Sequence, residues 1–173
     1  MITIFTIGHS IHPIEEFLEM LRAHAVEHLV DVRTIPKSRR NPQFTREPLA
    51  ASLTQAGIAY SHMPVLGGLR KPRTDSINTA WQNASFRGYA DHMQTLEFSA
   101  ALGQIIAAAA QRRTTIMCAE AVPWKCHRSL ISDALTARGV TVEHILSAST
   151  RKPHQYTSFV RIDGDHVTYP GLA

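Results

Sequence analysis

Short runs of β-branched and apolar residues alternate along this chain with segments whose apolar residues recur at helical spacing. ITIFTI (2–7), HLVDVR (28–33), IAYSHMPV (58–65), TTIMCA (114–119) and VTVEHI (140–145) read as buried strands. Between them, PIEEFLEMLRAH (13–24) places Ile14, Phe17, Leu18 and Leu21 on one face. Pro13 suits its first position, and Glu15 and Glu16 suit its positive end. PLAASLTQAG (48–57) and SLISDALTARG (129–139) read as helices stopped by glycine. Residues 86–110 read as two helical pieces, with Leu102, Ile105, Ile106 and Ala109 on one face. Strand–helix–strand repetition predicts an α/β fold with a mostly parallel central sheet flanked by helices. The tail, TSFVRIDGDHVTYP (157–170), carries Asp-Gly between two β-rich runs and predicts a C-terminal β-hairpin.

With 173 residues, one domain spanning 1–173 is expected. The stretch 66–85 is long and irregular, and such loops tend to be functional. No apolar run reaches membrane-spanning length, and the N-terminus lacks the charged and apolar regions of a secretory signal. Together with only two cysteines, this points to a reducing cytoplasm and two separate thiols rather than a disulfide framework.

In an open parallel sheet, ligands bind outside the carboxyl ends of the strands. His9 and Ser10 follow the first strand. Asp31, Arg33, Lys37, Ser38, Arg39 and Arg40 belong to or follow the second, and residues 33–46 hold five Lys/Arg and no acid. Gly67, Gly68, Arg70, Lys71 and Arg73 follow the third. Glu120, Lys125, Cys126, His127 and Arg128 follow the fourth, and His144, Arg151 and Lys152 end or follow the fifth. The net charge of +4 thus concentrates on one edge, and an anion is the expected ligand: phosphate, carboxylate or a nucleic-acid backbone. Backbone amides at the turn near Ser10 would assist.

The segment CAEAVPWKCHR (118–128) invites three chemical readings. The zinc-deaminase pattern requires Pro-Cys-x-x-Cys, and Pro123 is followed by Trp-Lys-Cys. The phosphatase loop requires Arg six positions after the cysteine, where Trp124 stands. A metal held by Cys118, Cys126, His127 or His9 remains an alternative, but adjacent Cys126 and His127 rarely reach one ion, so no cofactor is predicted. Cys126 precedes a helix beside His127 and Arg128, a setting that lowers a thiol pKa. Equally, it could pack inward with His127 capping the turn. Cys118 reads as core. Glu120 is an ion-pair anchor or a general acid/base. Asp31 and Arg33 share a face, and their pairing, or a pair with Arg128, would offset the burial of Asp31.

TIGHS (6–10), DVRTIPKSR (31–39), LGG (66–68), FRGYADHM (86–93) and CAEAVPWKCHRSLISDAL (118–135) together resemble the "domain of unknown function 488" family. The resemblance runs to about residue 146 and leaves an extension of about 147–173 outside it. It marks His9, Ser10, Asp31, Arg33, Pro36, Ser38, Arg39, Gly67, Gly68, Tyr89, Cys118, Glu120, Cys126, His127 and Arg128. It implies a site but no reaction.

The function expected is an enzyme acting on an anionic small molecule or nucleic acid at the sheet edge. His9, Asp31, Glu120, Cys126 and His127 would be catalytic. Ser10, Arg33, Ser38, Arg39, Gly67, Gly68, Tyr89 and Arg128 would bind substrate. The alternative is a non-catalytic nucleic-acid or nucleotide-binding module. Its basic loops would touch phosphates, and Tyr60, Trp81 or Tyr89 would stack bases, although packing beneath the long loop is the plainer role for those rings. A third reading makes the ionic cluster purely structural. No membrane partner is expected.

Overall fold

The computed structural model describes residues 1–171. Five parallel strands form the sheet: β1 (Thr3–Gly8), β2 (His28–Asp31), β3 (Ala59–His62), β4 (Thr114–Cys118) and β5 (Thr141–Ile145). An antiparallel edge strand, β6 (Arg151–Pro153), completes the order β3-β2-β4-β1-β5-β6. The helices are α1 (Ile14–Ala23), α2 (Arg46–Gln55), α3 (Ala84–His92), α4 (Leu96–Gln111) and α5 (Arg128–Ala137). Among the described residues no helix is long and apolar enough to cross a membrane.

The period-2 alternation of the strands divides the interior into two cores. Phe5, Ile7, Leu29 and Met117 face α1 and α2, where Phe17, Leu21, Leu49 and Leu53 close one layer. Ile4, Val30, Ile116 and Cys118 face the opposite side, against Leu102, Ile105, Leu130 and Leu135 of α4 and α5. The first two crossovers and the later ones thus lie on opposite faces of the sheet. The α/β reading is correct, and the two helical pieces are α3 and α4.

Three details differ from the sequence reading. Pro13 caps α1 from outside instead of opening it, because its ψ of 149° is extended. The exposed β6 escapes notice because Arg151, Lys152 and Pro153 carry no apolar alternation. The hairpin forms as β7 (Arg161–Asp163) and β8 (His166–Thr168), with Gly164 at φ 64°, but it pairs only with itself. It packs on α5 and buries Val167 and Tyr169 in the second core.

That extension is fastened by a buried polar chain whose two ends both lie on α5. Arg128 Nη1 donates to Thr6 Oγ1 (3.0 Å), and the Thr6 hydroxyl donates to His144 Nδ1 (2.6 Å). His144 Nε2 donates to His154 Nδ1 (2.9 Å), and His154 Nε2 donates to Asp133 Oδ1 (2.8 Å). Every link has a consistent donor direction with both imidazoles neutral. A fully buried cation is thereby connected to a fully buried anion. Asp133 also accepts from the Tyr169 hydroxyl (2.7 Å) and from the amide and hydroxyl of Thr157 (3.2 and 2.7 Å). Asp133→Ala strands these donors and should lower stability by about 3–5 kcal/mol. Limited proteolysis would then cut residues 147–166 faster than in the native chain; unchanged cleavage and melting would show that the extension is held by apolar packing alone.

Candidate active site

Strand register assembles the site. Gly8 lies opposite Cys118, and Asp31 lies opposite both Met117 and His62. The ladders run on past the strands: His9 N–H donates to the Cys118 carbonyl (3.0 Å), Ser10 N–H to Ala119 (2.9 Å) and Val32 N–H to Met117 (3.0 Å). Residues 9–10, 32–34 and 119–120 therefore emerge side by side at the carboxyl edge. Gly8 is required there, because a Cβ would overlap the Glu120 carbonyl where residues 119–121 cross the end of β1.

The sheet then divides what the sequence reading joins. Face alternation sends Asp31 to the α1/α2 side with Leu29 and Cys118 to the α4/α5 side with Ile116, while Arg33, beyond the end of β2, borders the same well as Cys118 and His127. Two wells result. One, of about 330 Å³, is lined by Arg33, Gly68, Tyr89, Cys118, Cys126 and His127. The other, of about 590 Å³, is lined by His9, Ser10, Ser38, Arg39, Arg40 and Asn41. Ala119, Glu120 and Lys125 line both, so the β4–α5 connection is the ridge between them.

Beneath the ridge lies an interlocked ionic core. Arg33 donates from Nε to Asp31 Oδ1 (2.9 Å) and from Nη2 to Asp31 Oδ2 (2.7 Å). The Arg33 amide and the Tyr60 hydroxyl also donate to Asp31 (3.1 and 2.6 Å). Asp31 is fully buried and Arg33 nearly so, and of the two expected pairings Asp31–Arg33 is the one formed. The Arg33 Nη1 points to His9 Nε2 (3.4 Å), while His9 Nδ1 donates to the Ser10 carbonyl (2.9 Å). Stacked on Phe44 and 4% exposed, His9 is held neutral: burial first, with Arg33 assisting, lowers its pKa to about 4. Both its nitrogens are occupied.

His127 differs in one consequential respect. Its Nε2 donates to the Val32 carbonyl (3.0 Å), which fixes the tautomer and leaves Nδ1 as an acceptor. That nitrogen lies 3.5 Å from Cys126 Sγ. Burial lowers the His127 pKa to about 4. It makes no side-chain cap to α5, so the capping role is excluded. Gly68 keeps the ring in place, since a Cβ there would stand 3.3 Å from Nδ1.

The sulfurs of Cys118 and Cys126 are in contact, with Cα atoms 7.3 Å apart. Both cysteines are buried in the second core, and the sequence reading did not bring them together. Cys118 ends β4 on the α5 face, and the 3-10 turn Pro123–Lys125 carries Cys126 back over the same spot. A spacing of eight residues with no secondary-structure periodicity between them concealed the juxtaposition. Among the described residues no cluster of three His, Cys, Asp or Glu side chains is arranged to hold a metal ion.

The remaining sequence candidates divide by burial. Arg128 turns inward, 0% exposed, donating to Thr6 and to the Glu120 carbonyl (2.8 Å). Burial lowers its pKa to about 10. It shapes the ridge from below and does not line either well. Tyr89 is fully buried, and its hydroxyl donates to the Leu66 carbonyl (2.8 Å). Gly67 approaches Thr34 too closely to admit a side chain, and Thr34 Oγ1 donates to the Gly68 carbonyl (2.8 Å). Ser38 Oγ accepts from the Asn41 amide (3.1 Å). Ser10 is left-handed at φ 47° and its amide is spent on Ala119, so the anion-binding role expected for that amide is not available. Arg39, Glu120, Lys37, Arg40 and Lys125 are exposed, and none forms an ion pair among the described residues.

Tyr60 is tied to Asp31, and Trp81 packs among Phe86, Phe159 and Tyr169, so packing is the role of these rings. Sequence reasoning did not identify Phe44 or the buried Thr6; no local pattern distinguishes either from ordinary core. Neither a curated protein nor a solved structure matches the chain. The family model described as "Domain of unknown function DUF488" matches residues 13–135, from α1 through most of α5 and including Arg33, Cys118, Cys126 and His127. This chain belongs to the DUF488 family.

Proposed function

We propose that the chain is an enzyme that binds an anionic substrate at the carboxyl edge of its sheet and attacks it with Cys126. The observation that carries this reading is the fixed tautomer of His127, which presents an acceptor nitrogen to the Cys126 sulfur beside exposed Lys37 and Lys125, neither of which forms an ion pair among the described residues. With the sulfurs reduced, the Cys126 thiol donates to Nδ1, and the neutral imidazole takes its proton as the sulfur attacks. Arg39, Arg40, Lys37 and Lys125 supply positive charge around the ridge without buried partners to release. Glu120, exposed between the wells, is the group placed to exchange a proton with substrate. His9, Asp31 and Arg33 position the frame. Asp31 has no free lone-pair direction toward either well, and His9 already accepts from Arg33.

The test uses reduced Cys118→Ser protein, in which Cys126 is the one thiol. Its alkylation by iodoacetamide at neutral pH should be several-fold faster than in Cys118→Ser/His127→Asn protein, which lacks the proton acceptor. Inorganic phosphate should slow alkylation several-fold, and Lys37→Ala/Lys125→Ala, which removes the cations lining the Cys126 well, should remove that protection. Indifference to phosphate would overturn the reading. Stronger protection by a polynucleotide, lost steeply with salt, would favour the binding-module alternative.

A further inference from the structure

Cys118 and Cys126 are the chain's only cysteines, and the fold brings both sulfurs together in the wall of the smaller well. One comes from the rigid end of a central strand. The other sits on the connection that forms the ridge, and its neighbour His127 aims an acceptor nitrogen at it. The two cysteines are therefore chemically unequal. Both are buried, at 6% and 1% exposure, but Cys126 has an imidazole acceptor at 3.5 Å, whereas Cys118 Sγ has only the Glu120 carbonyl at 3.9 Å. That asymmetry is what a nucleophilic and a resolving thiol require.

We infer that Cys126 and Cys118 form a reversible two-electron redox couple, oxidised by a hydroperoxide and reset by a dithiol. His127 Nδ1 takes the Cys126 proton as the sulfur attacks one peroxide oxygen. The S–O bond forms as the O–O bond breaks, and the leaving oxygen takes the proton from His127. Hydrogen peroxide thus yields a Cys126 sulfenic acid and one water. The Cys118 sulfur then attacks the sulfenic sulfur; the S–S bond forms, and the hydroxyl departs as water with the Cys118 proton. In sum, two thiols and one hydrogen peroxide give one disulfide and two waters. A dithiol returns the couple by exchange and is itself oxidised to a cyclic disulfide. While the disulfide is closed, Cys126 is unavailable as a nucleophile, so the same couple also switches the activity proposed above. The redox chemistry needs no anionic substrate and stands apart from that activity.

The experiment treats fully reduced protein with one equivalent of hydrogen peroxide, followed by thiol titration and intact mass. Both thiols should disappear, the mass should fall by two hydrogens with no oxygen gained, and dithiothreitol should restore both under native conditions. Cys118→Ser should instead accumulate a sulfenic acid at Cys126 that dimedone captures, and Cys126→Ser should leave Cys118 unreacted. His127→Asn should slow the oxidation at least ten-fold and move its pH midpoint toward that of an ordinary thiol, a change that loss of packing alone would not cause. Persistence of both thiols, direct oxygen addition in the native protein, or a crosslink that opens only after unfolding would each overturn the inference. Phosphate protection is read in the reduced protein without oxidant, so failure of one experiment leaves the other intact.

Discussion

Asp31→Ala should cost about 3–5 kcal/mol, measured as the shift in urea unfolding midpoint at neutral pH. The substitution removes the acceptor of two guanidinium hydrogen bonds, one amide and the Tyr60 hydroxyl. Arg33 would then remain buried as a cation with no anion. It cannot escape by losing its proton, since a guanidinium stays protonated at any accessible pH. Asp31→Asn should cost less, because the shape and one acceptor survive. Asp31→Leu combined with Arg33→Met should recover much of the loss, as removal of both charges leaves neither unsatisfied. A single-variant effect below about 1 kcal/mol would mean that the pair behaves as an exposed one. The same experiment separates framework from chemistry: Glu120→Gln, at an exposed position, should leave the unfolding midpoint nearly unchanged.

The second large effect is acid sensitivity. His9 and His127 are lowered to about 4 and His144 to about 3, with burial the leading cause in each case. Unfolded, each would titrate near 6.5 and take up its proton first. The stability contributed by keeping them neutral is therefore complete above pH 6.5 and is lost as pH falls toward the folded values. At pH 5 the loss is about 2 kcal/mol per histidine, or about 6 kcal/mol together, a large share of what an ordinary domain possesses. Unfolding midpoints measured from pH 7 to pH 5 should fall steeply, before most carboxylates begin to titrate. His9→Gln should lower the slope by about a third. A flat profile over this interval would show that these imidazoles are hydrated in solution.

The sensitivity of His144 also bears on the extension. Protonating His144 Nδ1 turns the acceptor of the Thr6 hydroxyl into a donor, so acid should release residues 147–171 before the sheet unfolds. The carboxyl edge, assembled by the strand ladders, would persist longer.

Much of this was readable from the residues because it follows from periods and from edges. Alternation in ITIFTI and TTIMC and the one-face spacing around Phe17 and Leu21 specify buried strands and amphipathic helices. The rule that ligands sit beyond strand ends selects His9, Arg33, Glu120 and His127. Asp31 two positions from Arg33 on an apolar strand implies a pair. These are local facts, and local spacing decides them.

Pairing in space required the folded chain. Whether Arg128 faces solvent or the interior depends on the phase of α5 against β1, and the polar chain beginning at Thr6 captured it. The division of one expected site into two wells follows from which face each strand-end residue leaves, combined with the path of residues 119–125. The contact between Cys118 and Cys126 depends on a 3-10 turn that carries no periodic signal. By itself, the sequence determined the layers, the carboxyl edge and the residue types gathered there, because each is written in short-range pattern. Only the tertiary structure decided which of those residues are structural, which are free and which two sulfurs meet, because partners far apart in the chain are set by packing and register.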